Sequence, residues 1–340
     1  MKQYLLQPTD EGSLSPTLTE VDLPEPGPGE VRVKMEACSL NYRDLLMMSG
    51  QSASSGDAAV VPLSDGAGVI SAVGEGVTEW AEGDRVALTF FEEWKDGAFS
   101  MKYHKAARGG SSNGVLAEEV VSPAHGLVRI PEGYSTVEAA TLPCAAVTAW
   151  HGLMERSRPM KEGDTVLCLG TGGVSIFALQ LAKAAGANVI ITSSSDEKLE
   201  RAAALGADEL VNYRDNPDWE KVVFEKTEKR GVDHVIEVGG PGTLEKSMSS
   251  VGAGGSIALI GVLTGFDAPD ASLFPLVTKN VDLSGIYVGS RSMFERLNHF
   301  LGEHQIRPVI DREFAFEEVG DAYDYLKSGS HFGKVVVRVR

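Results

Sequence analysis

The chain has 340 residues, enough for two ordinary domains and a large core. Its formal charge of −17 opposes non-specific binding to nucleic acid or anionic lipid, because phosphate contact needs clustered lysine and arginine. No uninterrupted apolar run is long enough to span a bilayer, and residues 1–12 lack the apolar core of a secretion signal. A cytoplasmic protein is expected. Cys38, Cys144 and Cys168 lie far apart in apolar settings, which predicts buried reduced thiols and no disulfide framework.

Residues 1 to about 125 read as all-β. Val31 to Met35 alternates apolar and polar residues, as a half-buried strand does, after a turn set by Pro24, Pro26, Gly27, Pro28 and Gly29. Residues 66–74 form another strand, with glycines where backbones come close. A further strand starts after Gly83 and Asp84. Residues 96–114 are rich in Gly, Ser, Lys and Ala and read as an exposed loop, with His104, Lys105 and Arg108 as a solvated basic cluster. Ser135 and Glu138 match a capping box that opens a helix. Residues 148–154 continue as an amphipathic helix.

The stretch 165–208 organises the second half of the chain. Val166 to Leu169 is a buried strand, Gly170-Thr171-Gly172-Gly173-Val174-Ser175 a glycine turn, Ile176 to Ala185 a helix, and Asn188 to Thr192 a second strand. This is one βαβ unit, which requires a parallel sheet. Gly170 permits the tight turn, Gly172 lets backbone N–H groups approach a pyrophosphate, and the helix N-terminus faces the phosphates. The third small position of the fingerprint is Ser175. Further short strands come at 209–213, 232–238, 255–261 and 282–288, with a helix at 293–303 and a tail strand at 335–339 that returns to the first domain. His125, His151 and His234 have no metal-ligand spacing.

The order of these features resembles the medium-chain dehydrogenase/reductase superfamily. The resemblance covers essentially the whole chain. It rests on Leu40-Asn41-Tyr42-Arg43-Asp44, Gly66-Ala67-Gly68-Val69-Ile70, Gly74-x-Gly76-Val77, Gly83-Asp84-Arg85-Val86, the run from Ala139 to Ala149, the Gly170 fingerprint, and Phe332-Gly333-Lys334-Val335-Val336. It implies an α/β protein: a doubly wound parallel-sheet (Rossmann) nucleotide domain at 126–291, and a β-rich GroES-like catalytic domain at 1–125 and 292–340. The active site is then expected in the cleft between them. In the zinc alcohol dehydrogenases the metal sits on a cysteine, a histidine and a second cysteine. The matching positions here are Asn41, Ser64 and Cys144, with Leu63-Ser64-Asp65 in place of the family's Gly-His-Glu run. Asn41 and Ser64 are poor zinc ligands, and residues 90–122 lack the cysteines of the structural zinc lobe. The chain is therefore similar to the zinc-independent, quinone oxidoreductase-like branch. Residues 50–56 lack the tyrosine that some enoyl reductases of that branch use as proton donor.

The resemblance implies a catalytic group of Asn41, Tyr42, Asp44 and Ser64, in which Asn41, Tyr42 and Ser64 offer donors to a developing oxyanion and Asp44 orients Asn41. It implies cofactor contacts from Thr148, Gly170, Gly172, Gly173, Val174, Gly261, Val262, Phe332, Gly333 and Lys334. Ser194 ends the second strand, where NAD-preferring members carry an acid for the ribose hydroxyls. A serine removes the repulsion toward a 2′-phosphate, and with Lys198 and Tyr213 it matches NADP-using members. Ser194 and Glu197 also form a capping-box pattern. The expected protein is a zinc-independent, NADPH-dependent oxidoreductase acting on a quinone or an α,β-unsaturated carbonyl compound. The other readings are an alcohol dehydrogenase and a non-catalytic, RNA-binding NADPH protein. A homodimer is expected through the late strand 281–288, with no nucleic-acid or membrane partner.

Overall fold

The computed structural model describes residues 1–9, 12–49, 59–267 and 271–340. It divides into two units, Met1–Val147 with Val288–Arg340, and Thr148–Tyr287. Residues 50–56, where the enoyl-reductase tyrosine is missing, lie outside the described residues.

The first unit opens with the antiparallel hairpin of β1 (Lys2–Pro8) and β2 (Leu14–Glu20). Next comes β3 (Glu30–Leu40), in which Val31, Val33 and Met35 are buried and alternate with half-buried Arg32, Lys34 and Glu36. From Ala37 onward β3 is buried at every residue, so its end runs into the core. There the all-β expectation fails: α1 (Tyr42–Met48) starts at once, with Asn41 as its N-cap. The chain continues through β4 (Asp65–Val73), β5 (Arg85–Leu88), β6 (Glu119–Pro123) and β7 (Leu127–Arg129). Then α2 (Thr136–Ala139) carries the expected capping box: Glu138 N–H donates to Ser135 Oγ at 3.2 Å and Ser135 N–H to Glu138 Oε2 at 2.8 Å. A π-helical turn, Leu142–Ala146, leads into α3 (Val147–Met154). Because α2 and this turn pack on β3, β4 and β5, the first unit extends to Val147, past the boundary at 125 read from the sequence.

The exposed-loop reading of 96–114 holds at 96–99 and 101–102 and fails at 107–110, which are buried. Arg108 is wholly buried, with Nη1 2.8 Å from Glu92, Nε donating to Thr89 O at 3.0 Å and Nη2 to Ser122 Oγ at 2.7 Å. A buried guanidinium is tolerated because it is paired and its donors are used.

The second unit alternates strand and helix: β8 (Thr165–Cys168), α4 (Gly173–Ala184), β9 (Asn188–Ser193), α5 (Asp196–Ala204), β10 (Glu209–Asn212), α6 (Trp219–Lys226), β11 (Val232–Glu237), α7 (Leu244–Ser250), β12 (Val251–Leu259), α8 (Phe274–Thr278) and β13 (Asp282–Gly285). The strands form one parallel sheet in the order β10-β9-β8-β11-β12-β13. This is a doubly wound sheet whose order reverses between β8 and β11, and ligands of such sheets sit at the carboxyl ends of the strands flanking that point. Its core holds Leu167, Ile190, Val235 and Ile257.

The chain then returns to the first unit with α9 (Arg291–Glu303), β14 (Ile310–Ala315), α10 (Val319–Lys327) and β15 (Lys334–Arg338). The sheet order there is β14-β15-β3-β4-β5-β7, with β6 also on β3. β6 pairs with residues 30–34 of β3 and β15 with residues 37–40, so the tail strand completes the edge of β3 where β6 leaves off.

Candidate active site

Strand register assembles the polar site of the first unit. β15 pairs Val335 with Leu40, which sets Lys334 beside Asn41. β4 pairs Asp65 with Ser39, which brings Asp65 to the same end of β3. The Lys334 ammonium is buried. It donates to Leu40 O at 2.7 Å and Asn41 Oδ1 at 2.6 Å, and lies 3.9 Å from Asp65 Oδ2. Asp65 also accepts from Ser64 Oγ at 2.7 Å and from Cys144 N–H at 3.1 Å. Just upstream, Leu63 is fully buried with a positive φ of 66°. A bulky residue in that region is strained, and such strain gathers at functional sites.

Each expected catalytic residue has a definite place. Asn41 is 9% exposed; its amide oxygen faces Lys334, and its Nδ2 is buried without a hydrogen-bond partner. Asp44 Oδ2 accepts the Asn41 backbone N–H at 2.7 Å. Asp44 is also buried, and the loss of solvation pushes its carboxyl up to about 6 despite the opposing effects of Arg43 and that N–H. Tyr42, the first residue of α1, is 40% exposed. Ser64 corrects one expectation: it is fully buried and its single O–H is already donated to Asp65, so it is not a donor for a substrate. Lys334, read from the sequence as a cofactor contact, is instead held among β3, β4 and Asn41; Phe332 beside it is buried and Gly333 has a positive φ of 80°. Sequence reasoning missed Tyr323 of α10, whose buried hydroxyl has no partner and is pushed up by burial and then by Asp44. No motif signals it.

In the second unit, Gly170 turns with φ +73° at the end of β8, and Gly172 is the N-cap of α4. The first-turn N–H groups, those of Gly173, Val174 and Ser175, have no partner within the helix. Ser175 Oγ donates to Leu169 O at 2.6 Å, which ties the helix to β8. Tyr213 N–H donates to Ser193 O at 3.0 Å, so Tyr213 starts beside Ser194 at the ends of β9 and β10. The cap of α5 is Ser195, not Ser194: Lys198 N–H donates to Ser195 Oγ at 3.4 Å, which leaves Ser194 outside the capping role. After β12, a Cβ on Gly261 would stand 1.6 Å from Val238 O, so only glycine lets these two backbones meet. Val262 follows it, and Gly240 faces Gly261 O with φ +88°. A buried carboxylate that sequence reasoning did not single out holds this place: Glu237 Oε1 accepts from Gly239 N–H at 2.7 Å, Gly240 N–H at 3.0 Å and Thr243 Oγ1 at 2.6 Å. Thr148 is buried at the start of the unit.

Two family models match the chain: the alcohol dehydrogenase GroES-like domain over residues 27–132 and the zinc-binding dehydrogenase domain over residues 173–303. A zinc-type alcohol dehydrogenase-like protein of Schizosaccharomyces pombe is 44% identical over 325 residues, 94% of each chain. The chain belongs to the medium-chain dehydrogenase/reductase superfamily. It is an NAD(P)-dependent oxidoreductase of that type. The 2-methylene-furan-3-one reductase of Solanum lycopersicum is 33% identical, over 97% of this chain and 77% of its own. The crystal structure of a putative alcohol dehydrogenase from Sinorhizobium meliloti 1021 superposes with a TM-score of 0.91 at 40% identity, covering 99% of this chain and 98% of that one.

The superfamily implies a nicotinamide dinucleotide and, in some members, zinc. The residues fit the dinucleotide: the first turn of α4 has N–H groups without a partner in the helix to offer a phosphate, and Gly170 supplies the positive φ of the tight turn that leads to them. They do not fit zinc. Asn41 Oδ1 lies against an ammonium and the Ser64 hydroxyl is spent on Asp65. Of the three matching positions only Cys144 carries a side chain that zinc favours, where a catalytic zinc usually has three protein ligands. Among the described residues, no group of three or more His, Cys, Asp or Glu side chains is arranged to hold a metal ion.

Proposed function

We propose that this oxidoreductase uses NADPH, without zinc, to reduce an α,β-unsaturated carbonyl compound or a quinone. The observation that carries this reading is the buried Asn41 Nδ2, a donor pair with no partner inside the protein. Leaving such a group unpaired costs free energy, which an incoming oxygen acceptor would recover. The dihydronicotinamide supplies a hydride when bound. Asn41 then donates to the carbonyl oxygen as negative charge gathers there, the point at which a preorganised donor lowers the barrier most. With an enone, the new C–H bond forms at the β-carbon, the alkene electrons move toward oxygen, and a proton from solvent or from the exposed Tyr42 phenol completes the α-carbon. Asp44 holds the Asn41 backbone, and Thr148 would lie against the nicotinamide ring when the cofactor is bound. The missing acid at Ser194, with Lys198 and Tyr213, favours the 2′-phosphate of NADPH. The tomato relative's name, a reductase of a methylene-furanone, supports the enone class.

A screen of quinones, enones and alcohols against NADPH and NADH tests the reading. Enone- or quinone-dependent NADPH consumption, unaffected by chelators, is the expected result. Alcohol oxidation that needs one tightly held zinc per chain would replace it with the alcohol dehydrogenase reading. Asn41→Ala should lower turnover with a good enone by roughly tenfold to a thousandfold, with NADPH affinity little changed.

A further inference from the structure

We infer that Lys334 is a positioning residue for the reduction: its buried ammonium fixes the Asn41 amide so that Nδ2, and not Oδ1, is the group presented to the substrate oxygen. The inference rests on the reading that Asn41 is the substrate donor.

An amide side chain can turn either end outward, and only its partners decide which. Lys334 decides it here. An ammonium has donors and no acceptor, so the atom facing it at 2.6 Å must be Oδ1. Rotating the amide would bring N–H against N–H in a site where neither could find water. The ammonium itself cannot swing away, because Leu40 O holds it at 2.7 Å and Asp65 Oδ2 lies 3.9 Å off. Three neighbouring strands thus fix one nitrogen: β15 carries it, β3 gives the carbonyl, and β4 gives the carboxylate.

The same contact tunes the donor. A cation on Oδ1 draws electron density through the amide and makes the Nδ2 protons better donors, as linked hydrogen bonds do in a low-dielectric site. The gain is greatest once the substrate oxygen is anionic, so it belongs to the transition state and should be read in kcat more than in KM. The arrangement also selects the ligand. A pair of N–H groups with no partner inside the protein rewards a carbonyl or enolate oxygen and offers nothing to the proton of an alcohol.

The test is a kinetic double-mutant cycle with an enone that the wild type reduces. Lys334→Met should lower kcat by roughly tenfold to a hundredfold with KM changed less than about threefold. Lys334→Arg, which keeps charge and donors, should restore most of the loss. In an Asn41→Ala background, Lys334→Met should cost less than about threefold more, since its effect passes through Asn41. If Lys334→Met does not fold, the pair Lys334→Met with Asp65→Asn removes both buried charges, and is read against Asp65→Asn alone. Full kcat in the Lys334 variants, or losses that add to that of Asn41→Ala, would overturn the inference while leaving Asn41 as the donor. Full turnover in Asn41→Ala would instead overturn the functional reading itself.

Discussion

Asp44 sets a pH dependence that one residue can test. Its carboxyl is pushed to about 6, mainly by burial, whereas in the unfolded chain it titrates near the ordinary value of about 4. Between those values the folded protein holds the proton that the unfolded chain has released. The contribution is therefore fully present below about pH 4 and is lost as pH rises through about 6, at up to roughly 1.4 kcal/mol per pH unit. Asp44→Asn should flatten the fall in Tm between pH 4 and 7, and a variant that keeps the wild-type slope would place the titration elsewhere. Lys198 offers a second single-residue test. A charge-assisted contact to phosphate contributes roughly 1.5–3 kcal/mol, so Lys198→Ala should weaken NADPH about tenfold or more and leave NADH nearly unchanged. A wild type that prefers NADH would refute this reading of Ser194, Lys198 and Tyr213.

Elements, not residues, build the nucleotide end of the second unit. The loops after β11 and β12 touch backbone to backbone at Val238 and Gly261, and the buried Glu237 carboxylate spends itself on the N–H groups of the first loop. Those N–H groups are thereby paired within the protein. Gly261→Ala forces the loops apart. Overpacking of this kind costs about 1–3 kcal/mol or more, so a drop in Tm of several degrees should accompany weaker cofactor binding. A variant with wild-type Tm and dinucleotide affinity would show that the loops are not closely coupled.

At the scale of the whole molecule we propose that two copies pair through the second unit. β13 closes one end of the parallel sheet as an edge strand, as expected from the sequence. Close to it in the chain, α8 buries none of its residues: Phe274 is 67% and Val277 75% exposed, with Leu263 and Phe266 also out. Exposed apolar side chains in the segments that precede an unpaired strand edge suit a second copy of the same chain. Light scattering at micromolar concentration should give a dimer, and Phe274→Glu with Val277→Glu should shift it toward monomer. A monomeric wild type would count against the pairing. No helix among the described residues is long and apolar enough to cross a membrane.

The sequence by itself determined what is local. The βαβ unit was legible because a buried strand, a glycine turn and a helix stand consecutively in the chain, and the capping box at Ser135 because its two partners are three residues apart. The superfamily was legible through many short motifs in a fixed order. Misreadings arose where a distant partner overrides local character. Arg108 looked solvated because Glu92, Thr89 and Ser122 reach it only after folding. Ser64 looked like a free donor because nothing in the sequence says that its proton goes to Asp65. Tyr323 carries no motif, and Lys334, 293 positions from Asn41, meets it only through the β15–β3 register. Burial then gives that meeting its chemical consequence, since an ammonium and an amide in water would each turn freely to solvent. Held between three strands, they leave the amide nitrogen buried and without a partner inside the protein.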